Sequence, residues 1–264
     1  MYLSAERIAH ANRVVQETFQ QTSIAWQAIP HWDTGDPGQT LVRADVTAKP
    51  AAPALLLHPI HIPFDVTLAQ AISPTPDSLL AQVMAQTVHL AEQVDAKVLQ
   101  AVYTTVAAAK LTITAGGSQL QKTLDSLIAA RASVENAGYR APASLLTNTK
   151  GLIALSELVS GYSVTEPLLA AANVNSLDRA KSIDATLEVA GKKVMLMLGR
   201  RRRIAHGYAA EASPGEEPVD IAVSVLPGLE VVGENASGGI ELGLRIRFAT
   251  RIKDDSGIVA IVGA

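Results

Sequence analysis

The feature of this sequence that most constrains its fold is a long, uninterrupted helical pattern in the first half of the chain. The pattern begins after Pro74 and Pro76, with Asp77 or Ser78 as the predicted N-cap, and continues to about Val106. The residues on its apolar stripe recur at helical spacing: Leu80, Met84, Thr87, Ala91, Val94, Val98 and Val102. At about 1.5 Å per residue such a helix extends roughly 45 Å, so we expect it to be the spine of the molecule.

The C-terminal part of the sequence predicts antiparallel strands that need this helix as a partner. From Pro218 onward, runs rich in β-branched residues alternate with turn residues. The predicted strands cover 220–225, 229–232, 240–250 and 258–262, with turns at 227–228, 237–239 and 254–257. A sheet with one apolar face must be covered by another element, so we expect the long helix to pack on it.

The N-terminal region predicts a helix followed by an irregular arm. Residues 4–21 form an amphipathic pattern with Ser4 as a plausible N-cap. Residues 26–38 contain two prolines and two glycines, which indicates an extended arm or loop. Trp26 and Trp32 need a surface that covers them, which would be the chain's own core in a monomer or a neighbour in an assembly. We predict that a neighbour buries them, so a chain without residues 1–38 should remain folded.

A long hairpin follows the arm. Residues 40–46 and 54–64 are strand-like, and the segment 47–53 joins them. Pro50 and Pro53 lie in this segment with Lys49, and proline is tolerated in sheets only at edges and turns. The segment is therefore predicted to be a projecting tip that contacts a neighbour.

The middle of the chain predicts a mixed layer of helices and strands. The predicted helices cover 119–136 and 149–159, and the predicted strands cover 144–147, 187–190 and 194–198. Gly138 is the expected C-terminal cap of the first of these helices. The last two strands form a predicted hairpin, with 194–198 buried on both faces.

Composition and charge exclude several classes of function. With 48% hydrophobic residues in 264, the chain can bury a large core. A net charge of −3 lacks the broad positive field of a protein that grips nucleic acid through its phosphates. The absence of cysteine excludes disulfides, thiolate catalysis and cysteine-type zinc sites.

The motifs of common enzymes and of membrane targeting are also missing from the sequence. It has no nucleophile elbow, phosphate-binding glycine loop or zinc-protease motif, so we expect no catalysis, no cofactor and no metal. His58 and His61 would point to opposite faces of a strand, so they could not bind the same metal ion. There is no secretory signal and no apolar run of about 20 residues, so we expect assembly in the cytoplasm of the producing cell and no membrane partner.

One charge run stands out, formed by Arg200, Arg201, Arg202 and Arg203. Its guanidinium groups could contact packaged nucleic acid or the carboxylates of a neighbour. The favoured interpretation is a solvated loop beside the acidic residues Glu211, Glu216 and Glu217.

The order of these elements resembles the phage major capsid proteins of the Hong Kong ninety-seven type and the related encapsulin shell proteins. Residues 57–65 are similar to the segment that closes the hairpin of these proteins, called the E-loop, and residues 88–95 to their spine helix. Further similar segments are 145–155 and 161–168 of the axial domain, and 221–232 and 244–261 of the peripheral domain.

The resemblance implies an α+β fold with four regions. These are an N-terminal arm (1–38), an E-loop hairpin (39–64), a peripheral domain (65–115 and 218–264) and an axial domain (116–217). It also implies self-assembly through pentamers and hexamers into an icosahedral virion capsid that encloses phage DNA without sequence specificity. Scaffolding, portal or decoration proteins are further partners that it suggests.

Two alternatives stay open. An encapsulin compartment that encloses cargo enzymes would use the same fold, but the arm with Trp26 and Trp32 and the C-terminal segment 255–261 favour the phage capsid. An α/β enzyme with an unrecognised site is the second alternative.

Some capsids of this family join a hairpin lysine covalently to an asparagine of a neighbour, with the help of a carboxylate. Lys49 and Asn235, the latter beside Glu234, provide these residue types. The reaction needs an uncharged lysine in an apolar pocket, and residues 50–52 do not supply one. We therefore predict that no cross-link forms.

Overall fold

The structure is a computed structural model that describes residues 3–46, 53–73, 75–113, 118–139, 141–186, 191–200, 217–236 and 238–263. The helices in these ranges are α1 (Ala5–Thr22), α2 (Ile24–Ala28), α3 (Leu68–Ile72), α4 (Asp77–Val106), α5 (Gln119–Asn136), α6 (Thr149–Leu155), α7 (Thr165–Ala171) and α8 (Lys181–Thr186). The strands are β1 (His31–Asp33), β2 (Leu41–Arg43), β3 (Ala54–Leu56), β4 (His58–Val66), β5 (Leu111–Thr112), β6 (Ala141–Thr147), β7 (Leu158–Val159), β8 (Tyr162–Ser163), β9 (Val174–Arg179), β10 (Lys193–Arg200), β11 (Val219–Glu234), β12 (Ile240–Ile252) and β13 (Ile258–Gly263).

Helix α4 is the predicted spine. It has 30 residues and begins at Asp77. The N-cap position is occupied by Pro76, which makes no side-chain capping bond, and not by Asp77 or Ser78 as predicted. The buried stripe also differs from the expected one: Met84 is exposed and Leu80 half-buried. The buried positions are Leu79, Val83, Thr87, Leu90, Ala91, Val94, Asp95, Val98, Leu99, Val102, Tyr103 and Val106. They form a wide stripe because α4 packs against sheet strands on one side and against α1, α2 and α8 on others.

The first sheet has the strand order β1-β11-β12-β4 and packs on α4. Strands β11 and β12 form a long antiparallel ladder, and β4 continues the sheet at the edge of β12. The turn expected at Pro227 and Gly228 is instead an irregularity within the single strand β11. Proline cannot donate to the ladder, so the pairing shifts around it and resumes where Gly228 faces Arg245.

The second sheet has the order β5-β13-β10-β6-β9 and contains the last strand of the chain. β13 therefore does not lie beside β11 and β12 as expected, but pairs with β10 and β5. All six of its residues are buried. A strand that is apolar on both faces belongs in the centre of a sheet covered on both sides, and the first sheet is not covered in this way.

The second sheet separates two apolar cores. Val194, Leu196 and Leu198 of β10 face the core around α4, while Met195 and Met197 face the core around α5 and α7. The predicted burial of this strand on both faces is confirmed. Its expected hairpin partner, 187–190, lies outside the described residues.

The helix expected over 149–159 is shorter than predicted. Asn148 caps α6 through its side chain, but the helix ends at Leu155. Strands β7 and β8 follow as a small hairpin whose turn residues Ser160 and Gly161 have φ values of 51° and 84°. Positive φ at both turn positions suits a tight two-residue connection, which ends the helical pattern there.

The N-terminal region is not an extended arm. Ser4 caps α1 as predicted, and Val15 and Phe19 of this helix are buried in the main core. Residues expected to be irregular instead form α2 and β1, and β1 pairs in parallel with β11. The side chain of Ser23 caps α2 by accepting a hydrogen bond from the N–H of Trp26. Residues 3–33 are thus part of the folded subunit.

Candidate assembly surfaces

The base of the hairpin rests on the outer face of the first sheet. β2 and β3 pair antiparallel, with Leu41 opposite Leu56 and Val42 opposite Leu55. Val42 and Leu57 pack on Ala222 and Ala249 of the sheet. Leu41 and Leu56 point the other way and are 52% and 53% exposed, so the hairpin carries an apolar pair on its free side.

The hairpin itself is shorter than the predicted segment 39–64, because β4 leaves it and joins β12 in the first sheet. Of the predicted contact residues at its tip, Lys49 and Pro50 lie outside the described residues. Pro53 is exposed, and its carbonyl oxygen accepts a hydrogen bond from the backbone N–H of Ala44 at 3.0 Å. This bond is the last described backbone contact between the two arms of the hairpin.

A buried ionic cluster lies where the hairpin meets the sheet. Arg251 on β12 faces Asp220 on β11, and its Nε and Nη2 donate to the two carboxylate oxygens at 2.6 and 2.7 Å. Lys253 Nζ lies 3.0 Å from Asp220 Oδ2, as an ion pair whose angle departs from hydrogen-bond geometry. Arg251 Nη1 donates to Asp45 Oδ2 at 2.7 Å and to the carbonyl of Arg43 at 3.2 Å. We call Asp45, Asp220, Arg251 and Lys253 the Arg251 cluster.

The charges of Asp220 and Arg251 stabilise each other. Burial by itself would raise the pKa of Asp220, but the hydrogen bonds from Arg251 and the charge of Lys253 outweigh it and hold that pKa below its usual value. For Arg251 burial would lower the pKa, yet Asp220 and Asp45 raise it. The sequence analysis missed this cluster, although Asp220 and Arg251 each occupy a strand position where an apolar residue is common.

The two tryptophans differ in their surroundings. Trp26 is only 6% exposed within a single chain, with its ring edge-on to Phe19 at 5.2 Å and stacked on His31 at 3.8 Å. Trp26 is therefore covered by its own chain and needs no neighbour, contrary to the prediction. Trp32 is half-buried beside the Arg251 cluster, where its Nε1 donates to Asp220 at 3.4 Å and the guanidinium of Arg251 lies 4.7 Å from its ring.

Arg200 is engaged within its own subunit. Its Nε lies 3.3 Å from Glu217, and its Nη2 donates to Ser144 at 3.1 Å. Arg200 is thus the last residue of strand β10 and is paired with Glu217, whereas the favoured interpretation placed it in a solvated loop. Arg201, Arg202 and Arg203 lie outside the described residues, as do Glu211 and Glu216.

A second exposed apolar surface lies on the β7–β8 hairpin and the adjacent helix α6. Leu158 and Tyr162 are 65% and 78% exposed, and Ile153 and Val159 are exposed beside them. Sequence reasoning placed 153–159 on a helix and missed this surface. The dipeptide Ser160-Gly161 was the signal that could have revealed the turn.

A buried carboxylate fixes the N-terminal region to the spine helix. Asp95 on α4 accepts hydrogen bonds from the hydroxyl of Ser23 at 2.6 Å and from the N–H groups of Ile24 and Ala25 at 3.0 Å. These donors lie at the first turn of α2, where backbone N–H groups lack helical partners. Burial raises the pKa of Asp95 despite these bonds.

Neither a metal site nor a membrane span is found in the described part of the chain. No group of three or more His, Asp or Glu side chains there could hold a metal ion. No helix there combines the length and the hydropathy that crossing a membrane requires.

The spine helix, the two sheets and the hairpin together define the shell-protein fold of Hong Kong ninety-seven type phage capsids and encapsulins. Solved structures carry this assignment, since no protein-family model and no curated protein matches the sequence.

The structural matches extend over most of the chain. The virus-like particle from Pyrococcus furiosus matches with a TM-score of 0.68 at 13% identity, over 97% of this chain and 100% of that one. Microbacterium phage Oxtober96 matches with a TM-score of 0.61 at 13% identity, over 92% and 91%. An encapsulin complex from Synechococcus elongatus matches with a TM-score of 0.60 at 12% identity, over 92% and 88%.

Proposed function

We propose that this chain is a structural major capsid protein that assembles with copies of itself into an icosahedral shell around phage DNA. The observation that carries the proposal is the extent of the structural match, which includes the spine helix, both sheets and the hairpin and not one module alone. In this proposal the protein has no catalytic role, and the virion capsid is its final location.

The proposal assigns the first sheet and α4 to the peripheral domain and the second sheet with α5, α6 and α7 to the axial domain. The boundaries inferred from sequence change in two places, because β1 joins the first sheet and β13 joins the second. The hairpin and the β7–β8 surface then project from different domains. Two separate exposed apolar surfaces favour contacts with more than one neighbour, as pentamers and hexamers require.

The proposed contact with DNA is nonspecific and slight. A net charge of −3 supplies no general attraction to phosphates, and the described basic residue of the arginine run is already paired with Glu217. Scaffolding, portal and decoration proteins remain proposed partners, as does assembly in the host cytoplasm.

Electron microscopy of the purified full chain tests the shell proposal. We expect closed hollow particles, tens of nanometres across, in negative stain. A sample that remains monomeric or dimeric at micromolar concentration, by analytical ultracentrifugation, would contradict it.

An encapsulin compartment is the second candidate, and the N-terminal region favours it. Encapsulins are expected to build an inner groove partly from an N-terminal helix, and α1 packs on α4 here where the phage interpretation expected an extended arm. The contents of particles purified from the native source separate the two candidates. Double-stranded DNA supports the capsid, whereas a single enriched enzyme without DNA supports the compartment.

A further inference from the structure

We propose that Asp45, through its ion pair with Arg251, is a positioning residue that fixes the direction in which the hairpin tip leaves the subunit. A fixed tip is preorganised for its contact with a neighbouring copy, so the cluster promotes assembly without forming the contact itself. This inference rests on the proposed shell function.

The backbone at Asp45 is the first observation. Asp45 has a φ of 49°, in the left-handed region that residues with a Cβ rarely adopt. It follows the last described bond between the two hairpin arms, at Ala44 and Pro53, and it precedes the tip segment 47–52. The left-handed backbone at Asp45 therefore turns this arm of the hairpin just before the tip segment begins.

The second observation is that the group holding Asp45 is itself rigid. The side chain of Arg251 is 9% exposed and that of Asp220 is fully buried, at 0%. Two hydrogen bonds fix the plane of the guanidinium against Asp220, which leaves Nη1 pointing at the hairpin. The Asp45 carboxylate is 49% exposed, so it is the accessible end of a chain of contacts that begins in the subunit interior.

The third observation is an open cleft beside the β3 arm of the hairpin base. A cleft of about 480 Å³ separates Leu55 and Leu56 from α4, where Lys97 and Thr104 line its other wall. A hairpin next to an open cleft can tilt toward it. The Asp45–Arg251 pair holds the β2 arm to the sheet and opposes that tilt.

Two substitutions at Asp45 test the proposal in the full chain, with Asp65→Asn as the matched control. Asp45→Asn removes the charge but tolerates the same backbone, and Asp45→Gly adopts positive φ without strain but has no side chain to anchor. Asp65 is an exposed carboxylate on β4, so its substitution makes the same charge change away from the cluster. The measurements are the subunit concentration at half-assembly, the melting temperature of the unassembled subunit, and hydrogen exchange of the Ala44 and Leu57 amides.

We expect both Asp45 variants to raise the half-assembly concentration by about fivefold or more, with Asp45→Gly the more severe. The melting temperature of the unassembled subunit should stay within about 2 °C of the parent. The Ala44 amide should exchange faster, while Asp65→Asn matches the parent protein in every measurement.

Three results would overturn the inference. One is assembly of both Asp45 variants at the parent concentration. Another is better assembly of Asp45→Gly, which would mean that backbone strain and not anchoring matters. If the parent protein forms no particles, the shell proposal fails by itself; unchanged Ala44 exchange in the variants would then reject the positioning role separately.

Discussion

At the scale of single residues, Asp220 and Asp95 are two buried carboxylates that are compensated by different kinds of partner. Asp220 is surrounded by cationic side chains, while Asp95 accepts hydrogen bonds from a hydroxyl and from backbone N–H groups. At Asp220 the cationic partners outweigh the effect of burial, whereas at Asp95 burial outweighs the hydrogen bonds from neutral donors. The pKa of Asp220 is accordingly lowered and that of Asp95 raised. The two residues should therefore give the subunit opposite pH dependences.

Replacement of Asp220 by Asn should lower the free energy of unfolding of the unassembled subunit at neutral pH by about 3 kcal/mol. The reason is that Arg251 and Lys253 keep their charges but lose the buried carboxylate that compensates them. Because the pKa of Asp220 is lowered in the folded state, its contribution is present above the ordinary aspartate pKa and is lost as the pH falls through the folded value. Denaturant titrations should show the gap between parent and variant closing below about pH 4. A gap that does not change with pH would contradict this account.

Asp95 should give the subunit a pH dependence of stability opposite to that of Asp220. Its raised pKa means that the folded state favours the protonated form, so the stability it contributes is largest below the ordinary aspartate pKa and is lost as the pH rises through the raised value. Asp95→Asn is neutral at every pH. Its stability relative to the parent should therefore improve from pH 4 to pH 7 in denaturant titrations, with exposed Asp65→Asn as a control that shows no such trend.

The ionisable neighbours of Asp95 do not reverse this expectation. Glu92, one turn earlier on α4, raises the pKa further and is itself paired with Lys181 of α8 at 2.6 Å. The sequence of α2 has no ionisable side chain, and neither does the last turn of α1. Asp178 on β9, the strand that contacts α2, has its own pKa raised by burial and adds no cation.

At the scale of elements, the N-terminal region is part of the folded core and not an extended arm. α1 places Ala11, Val15 and Phe19 in the main core, and Asn12 bonds both backbone groups of Leu229 on β11. Arg7 donates to the carbonyl groups of Ala71 and Ser73 at the end of α3. The region is held by apolar packing and by polar contacts at both of its ends.

Deletion of residues 1–28 should therefore prevent folding, whereas the sequence-based interpretation expected a folded subunit even without residues 1–38. The milder change Phe19→Ala should lower the free energy of unfolding by about 3–5 kcal/mol, because it opens a cavity at a fully buried site. Gln20→Ala, on the exposed side of the same helix, is the matched control. A soluble truncated chain that unfolds cooperatively in circular dichroism would show that α1 is dispensable.

The sequence predicted those elements whose pattern is local. The spine helix, the capped start of α1 and the doubly buried strand β10 all follow from spacing over a few residues. The errors concern partners that are distant in sequence. Nothing near Trp26 shows that Asp95 will stabilise α2, and nothing near Ile258 shows that β10 and not β12 will be its neighbour. Only the full apolarity of β13 distinguishes it from the strands of the half-exposed sheet.

At the scale of the whole molecule, the candidate surfaces also divide into one predicted from a local pattern and one that depends on residues distant in sequence. The hairpin tip is predicted from its prolines, since proline restricts where a strand can pair, and its residues 47–52 lie outside the described part of the chain. The Arg251 cluster was not recognised, because its charges come from residues 45, 220, 251 and 253 and meet only when β2, β11 and β12 come together. A shell subunit needs both kinds of feature: an exposed element that reaches a neighbour, and an interior that fixes where that element points.

The assembled shell should be held by noncovalent contacts alone. Asn235, the candidate partner of Lys49, is occupied in its own turn: its Oδ1 accepts from the N–H of Gly239 at 2.7 Å, and its N–H donates to the carbonyl of Gly239 at 3.0 Å. Lysine must also lose its proton to attack an amide, which calls for an apolar pocket that the sequence around Lys49 does not predict. Denaturing electrophoresis of mature particles should give a single band near 27.7 kDa. A ladder of multimers that survives boiling, and that disappears in Lys49→Arg particles, would prove that the chain is cross-linked after all.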